Sequence, residues 1–251
     1  MIEYTFEDFI DIVGTLLGEN GCPWDRSRTF ENLREDLLEE CYETLDAVDK
    51  NDPASLREEL GDILLAVALY SKIAEKNGLF TPGEVIDGVA KKIIRRHSHV
   101  FGDKKAATPE ESLANWEAEK RLEKGEKMRT ERLRSVPVTL PALMRAQKTL
   151  GRAEGSGFAE NNLESRADEL LRYAAGLKNG TNAEINASEL IGGALFCLAD
   201  ISRFFEINAE FALTNAIETF INVFENAENA CIAPFSGKLS SFEEETFNEQ
   251  D

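Results

Sequence analysis

The chain has 251 residues, 42% of them hydrophobic, and a formal net charge of −19. That is enough apolar material for one large core or two small ones, while the excess of acid repels polyanions and argues against direct binding to DNA or RNA. No run of about 18 apolar residues occurs and no leader-like segment is read at the start, so a cytoplasmic protein without membrane association is expected. The cysteines, Cys22, Cys41, Cys197 and Cys231, form no C-x-x-C pair and read as reduced thiols.

Strand signals are almost absent and helix punctuation is frequent, which predicts an all-α fold. Helices are expected at about 5–18, 29–50, 53–76, 82–98 and 109–127, then 141–153, 162–178, 186–206 and 208–230. Asp52-Pro53 supplies an N-cap followed by proline at the first helical position. Thr81–Glu84 and Thr108–Glu111 have the form of capping boxes, and Asn77-Gly78 is a helix stop. Arg134–Pro141 holds two prolines and reads as a linker. The end, 242–251, has five acids and no base, and reads as a disordered tail.

The second and third predicted helices carry a set of carboxylates with unusual spacing. Glu39, Glu40 and Glu43 lie in LLEECYETLDAV, and Glu59 and Asp62 in LREELGDILLAV. Residues three or four apart share a helix face, so each stretch presents side-by-side acids. Apolar stripes run through Leu33, Leu37, Cys41 and Leu45, and through Leu56, Leu60, Ile63, Leu64 and Val67. Glu40 and Glu59 lie on or beside these stripes, where a carboxylate is costly unless paired. Bases in and beside the two stretches are few: Arg34, Lys50 and Arg57. Two readings are open at this point: a solvated acidic face, or a cage of hard oxygen ligands for Mg²⁺ or Mn²⁺. No Glu-x-x-His pair supports a di-iron bundle. His97 and His99 read as helix-terminus histidines rather than catalysts, Trp116 reads as packing, and no phosphate-loop pattern occurs.

The two halves share an order of elements: a Gly-containing lead-in, a long amphipathic helix, a polar connection, a second apolar helix, and a third helix ending in an aromatic. This fits tandem copies of one helical unit.

Several motifs together resemble the MazG family of nucleoside triphosphate pyrophosphohydrolases, in the all-α NTP pyrophosphatase superfamily. They are Gly21-Cys-Pro-Trp-Asp25, the E-E-x-x-E and Glu59-Leu-Gly-Asp62 set, Arg95-Arg-His-Ser-His-Val-Phe101, Asn115-Trp-Glu117, and Leu140–Lys148. The match is strong over about 5–158 and faint over 159–230. The resemblance implies helical-bundle repeats, an intertwined homodimer, and Mg²⁺-dependent hydrolysis of a (d)NTP to (d)NMP and pyrophosphate. It implies that Glu40, Glu43, Glu59 and Asp62 bind Mg²⁺ (or Mn²⁺), and that Glu39 is a further ligand or orients a water; in the mechanism expected from this, Glu39 or Glu43 takes a proton from the attacking water. It further implies that Lys92 and Arg96 contact phosphates. Trp24 is read either as a base-stacking platform or as a core anchor.

The second half departs from that pattern. Asp168 and Glu169 stand for the paired acids, Arg172 replaces the third, and Leu190-Ile-Gly-Gly193 replaces Glu-Leu-Gly-Asp. Thr219 and Val223 stand where Lys and Arg are expected. The expected organisation is therefore a complete N-terminal domain over 1–130, a linker over 131–141, a degenerate second repeat over 142–236, and an acidic tail over 237–251. The alternative to an enzyme is a weak or inactive dimer that binds nucleotide or a protein partner.

Overall fold

The computed structural model describes residues 3–124, 129–154, 162–179 and 186–229. The acidic tail and the Gly157-Phe158 lead-in fall outside them. Among the described residues all regular structure is helical. The helices are α1 (Phe6–Leu16), α2 (Pro23–Arg26), α3 (Leu33–Asp49), α4 (Pro53–Lys76), α5 (Pro82–Arg96), α6 (Ser98–Phe101) and α7 (Pro109–Lys124). They continue as α8 (Arg129–Arg134), α9 (Ala142–Ala153), α10 (Leu163–Asn179), α11 (Ala187–Phe204) and α12 (Ala209–Asn229). The all-α expectation holds. None of these helices is long and apolar enough to cross a membrane. The chain divides into two compact units, Met1–Gly125 and Glu126–Asp251.

In the first unit the punctuation does what the residues predict. Asp52 caps α4 by accepting from the Ala54 and Ser55 amides at 3.0 and 3.3 Å, with Pro53 at the first helical position. Thr81 and Glu84 cap each other's backbone at 3.2 and 2.8 Å. The box at α7 differs slightly. Thr108 accepts from the Glu111 amide, but Glu111 reaches back to the Ala107 amide at 2.6 Å. Asn51 sits at φ 51°, a left-handed turn that asparagine tolerates, and this short turn folds α3 and α4 into a hairpin.

The core of this unit lies where α1 packs on the C-terminal half of α4. Val13, Leu17, Leu33, Ala68, Leu69 and Ile73 are buried there, with Phe9, Phe30, Leu65 and Tyr70 against them. The Tyr70 ring stacks on Phe30 at 6.0 Å and its hydroxyl donates to the Phe30 carbonyl. This placement corrects the predicted stripes. Leu33 is buried, but Cys41 and Leu45 are exposed, and so are Leu60, Leu64 and Val67 on α4. Periodicity identified apolar faces correctly but could not say which would be covered within one chain.

In the second unit α9 packs on α11, α10 pairs with α11, α8 packs on α9, and α12 lies on α9 and α11. Leu150, Cys197, Ala199 and Ala209 are buried. Gln147 ties the turn before α12 in both directions, donating to the Ile207 carbonyl at 2.8 Å and accepting from the Ala209 amide at 3.1 Å. The segment read as a linker starts inside α8. It is pinned by Arg152, which donates to the Arg132 carbonyl and the Ser135 hydroxyl, and by buried Val136.

Candidate active site

The α3–α4 hairpin carries two pairs of acids toward one place. Glu40 and Glu43 are three residues apart on α3 and Glu59 faces them from α4. One carboxylate oxygen from each lies within 4.8 Å of the others. Glu40 and Glu59 are half-buried and Glu43 is exposed. Asp62, half-buried one turn beyond Glu59, lies outside this tight triad. Its charge still acts on both Glu40 and Glu59. Glu39 is exposed and acts on Glu40.

The electrostatics are those of a site lacking a counter-charge. Desolvation, followed by the charges of Asp62, Glu43, Glu59 and Glu39, pushes the Glu40 carboxyl above the usual carboxylate range. Desolvation and then Glu43 and Asp62 push Glu59 the same way, with a Glu43–Glu59 hydrogen bond adding to it. Both effects disfavour the charged form. None of the ion pairs among the described residues involves Glu39, Glu40, Glu43, Glu59 or Asp62. A hard divalent cation is the chemical complement of such a donor set.

The predicted phosphate contacts lie near the end of α5. Lys92 is exposed. Arg96 is only 12% exposed and is held by α7, with Nε and Nη2 donating to one Glu123 oxygen at 2.9 and 2.7 Å. Its guanidinium also lies 5.1 Å from the centre of the Trp116 ring. Trp116 is thus packing, as read from the sequence, but packing against a cation. His97 ends α5, and its Nδ1 lies 2.7 Å from the Ile93 carbonyl.

Trp24 is 65% exposed on the short α2, which removes the core-anchor reading. The Arg28 guanidinium covers one face of the ring at 4.4 Å and also pairs with Asp36. Sequence reading missed Arg28; its spacing of four from Trp24 on a helical turn was the available signal. Gly21 explains the head of this motif. A Cβ there would stand 2.1 Å from the Leu16 carbonyl oxygen, so only glycine lets the turn close on the end of α1.

The α10–α11 hairpin of the second unit is filled differently. Arg166 donates from Nε to Asp200 at 2.8 Å and from Nη1 to Glu169 at 2.6 Å. Arg203 adds bonds to Asp200 at 2.7 Å and Glu154 at 2.8 Å. A Cβ at Gly193 would meet the Tyr173 ring at 2.3 Å, so the ring occupies the space beside that backbone. Asp168 lines an open surface pocket with Arg172 and takes no part in this network.

Comparison with known proteins agrees with this arrangement. The profile of the MazG nucleotide pyrophosphohydrolase domain matches residues 28–101, which span the acidic hairpin and α5. A Thermotoga maritima protein named nucleoside triphosphate pyrophosphohydrolase/pyrophosphatase MazG is 35% identical over 223 residues, covering 89% of this chain and 85% of that protein. This chain belongs to the MazG family. A nucleoside triphosphate pyrophosphohydrolase of Escherichia coli K12 is 36% identical to this MazG-family chain, covering 86% of it and 83% of the relative. An uncharacterized Bacillus subtilis protein, YabN, is 38% identical over 91% of this chain, and the chain spans 47% of that longer relative.

Proposed function

We propose that this protein is a Mg²⁺-dependent nucleoside triphosphate pyrophosphohydrolase, converting a (d)NTP and water to (d)NMP and pyrophosphate at the α3–α4 hairpin. The observation that carries the reading is the triad of Glu40, Glu43 and Glu59, gathered without a base inside the segment that matches the MazG domain. Names of the Thermotoga and Escherichia relatives support the same reaction.

In this reading Glu40, Glu43, Glu59 and Asp62 hold Mg²⁺, with Mn²⁺ as a substitute. When bound, the ion neutralises phosphate charge and makes a bound water more acidic. Glu39 and Glu43, both exposed, are placed to accept the proton of the attacking water. Lys92 and Arg96 face the phosphates and stabilise the charge that develops there. The free face of Trp24 receives the base.

The two units are read as tandem copies, the second retaining its packing without the acidic set. A homodimer is part of the proposal. Leu38, Tyr42 and Leu45 on α3, and Leu60, Leu64 and Val67 on α4, form exposed apolar stripes at helical spacing that a second copy would cover. The free thiols Cys22, Cys41 and Cys197 suit a reducing cytoplasm.

The test is product analysis. Purified protein with each (d)NTP and Mg²⁺ yields (d)NMP and pyrophosphate if the reading is correct. Nucleoside diphosphate with orthophosphate, or no turnover of any nucleotide, rejects it. A non-hydrolytic binding module is the second reading, favoured by the second unit's lost acids. It predicts tight nucleotide binding in calorimetry without products.

A further inference from the structure

Arg96 is already occupied. Both oxygens of Glu123 are spent on the end of α5: Oε2 accepts from Arg96 Nε and Nη2 at 2.9 and 2.7 Å, and Oε1 pairs with Arg95 at 2.8 Å. The two guanidiniums hold the Glu123 carboxyl below the usual carboxylate range, Arg96 contributing most, so it is charged throughout the neutral range. The same face of α7 brings Trp116 under Arg96 and Lys120 over the ring at 4.4 Å. Glu119, one turn before Glu123, anchors Lys104 at 2.8 Å. Residues 116, 119, 120 and 123 recur at three- and four-residue spacing, so one stripe of α7 grips the cationic end of the unit.

A carboxylate bound through two oxygens to two guanidiniums makes the same charge-assisted N–H···O hydrogen bonds that a phosphate makes. We propose that Glu123 is an internal stand-in for substrate phosphate, which a polyphosphate chain must displace to reach Arg96. This rests on the assignment of Arg96 to phosphate under the proposed function. Guanidinium groups only donate, and Glu123 takes the Nε–Nη2 edge of Arg96, so Glu123 and an incoming phosphate compete for that edge. The contest selects by charge. A single carboxylate is displaced by a triphosphate carrying several charges and many acceptor oxygens, whereas orthophosphate brings too little to win. Glu123 thereby makes the site selective for long phosphate chains and eases release of short products. It is a positioning residue, not a group that touches reacting atoms.

The experiment compares the full-length protein with E123Q and E123A. With Mg²⁺ present, calorimetric titration with inorganic tripolyphosphate gives a Kd three- to tenfold lower in both variants. The KM for NTP falls by a similar factor and kcat does not fall. An unchanged or raised Kd and KM would overturn the proposal and leave Glu123 as a tie between α5 and α7. If the parent turns over no nucleotide, the pyrophosphohydrolase reading fails by itself, and the tripolyphosphate titration still decides this one. Should either variant lose its helical circular dichroism, hydrogen exchange on the unaltered protein replaces it. Saturating tripolyphosphate with Mg²⁺ speeds amide exchange over 117–123 if Glu123 is displaced. Unchanged or slower exchange there overturns the proposal.

Discussion

In the α3–α4 hairpin Glu40, Glu43 and Glu59 crowd together and repel one another. In the α10–α11 hairpin the acids Glu169 and Asp200 lie against Arg166, with Arg203 on the far side of Asp200. The pKa shifts are opposite in sign: Glu40 and Glu59 are raised, while Arg166 draws Glu169 below the usual range. One hairpin has no base paired with Glu40, Glu43 or Glu59 among the described residues, and the other carries its counter-ions in its own arginine side chains. The lesson is that a carboxylate held away from water needs a cation, and the two hairpins differ in where it comes from. Asp200, in a side chain only 5% exposed, has one built in, because Arg166 and Arg203 supply it permanently.

The largest effect expected from this contrast is on turnover. Glu40→Gln or Glu59→Gln should reduce NTP hydrolysis on the order of 10²–10³-fold, since several kcal/mol of charge stabilisation depend on the cation. Glu169→Gln should change it less than about twofold. Equal losses from both hairpins in steady-state assays would abolish the distinction.

Next in size is stability. Arg166→Met strands Glu169 and leaves Asp200 to Arg203 alone, and should cost roughly 3 kcal/mol in urea denaturation. That is the lower end of the range for breaking buried pairs, because Arg166 keeps some solvent contact. Adding Asp200→Asn should restore part of the loss. A loss below about 1 kcal/mol would show that water, not Arg166, balances these acids.

Adjacent glycines on α11 give a finer test. Gly193→Ala drives a methyl into the Tyr173 ring and should destabilise by about 1–3 kcal/mol. Gly192 has nothing within 4 Å of its Cβ position, so Gly192→Ala should stabilise by about 0.5–1 kcal/mol through helix propensity. Thermal melts showing the same sign for both would remove Tyr173 as the group that fills the second hairpin.

The smallest effect is the pH response. Because the folded carboxyls of Glu40 and Glu59 are raised, the folded, metal-free protein binds more protons than the unfolded chain between the ordinary and raised values. Their contribution is fully present below the ordinary carboxylate pKa and is lost as pH rises through the raised one. Glu40→Gln should flatten this slope in metal-free melts. Magnesium affinity should run the other way, weakening as pH falls through the same window, since ligands must be deprotonated. A calorimetric Kd for Mg²⁺ that is flat from pH 7 to about pH 4.5 would contradict the shifts.

Much of this was legible in the residues. The caps at Asp52 and Thr81 and the stop at Asn77-Gly78 were readable because each is a local hydrogen-bond device within four residues. Side-by-side acids on α3 and α4 followed from helix spacing. What escaped notice was non-local. Arg96 and Glu123 are 27 residues apart and their pairing depends on how α7 packs on α5. Arg166 and Asp200 are 34 apart, and no local spacing shows that one guanidinium balances both Asp200 and Glu169. The apolar stripe at Leu60, Leu64 and Val67 was visible as a stripe, yet only packing revealed that α1 covers a different side of α4.

The contact between Gly21 and the end of α1 has a consequence for Trp24. Backbone abutting backbone, with no side chain as a spacer, leaves the Cys22–Arg26 turn little room to rock. The indole mounted on that base is backed on one face by the Arg28 guanidinium. On the proposed reading of Trp24, a flat ring settling on its open side forfeits little motional freedom, and discrimination among such rings falls to the edges rather than to the stack.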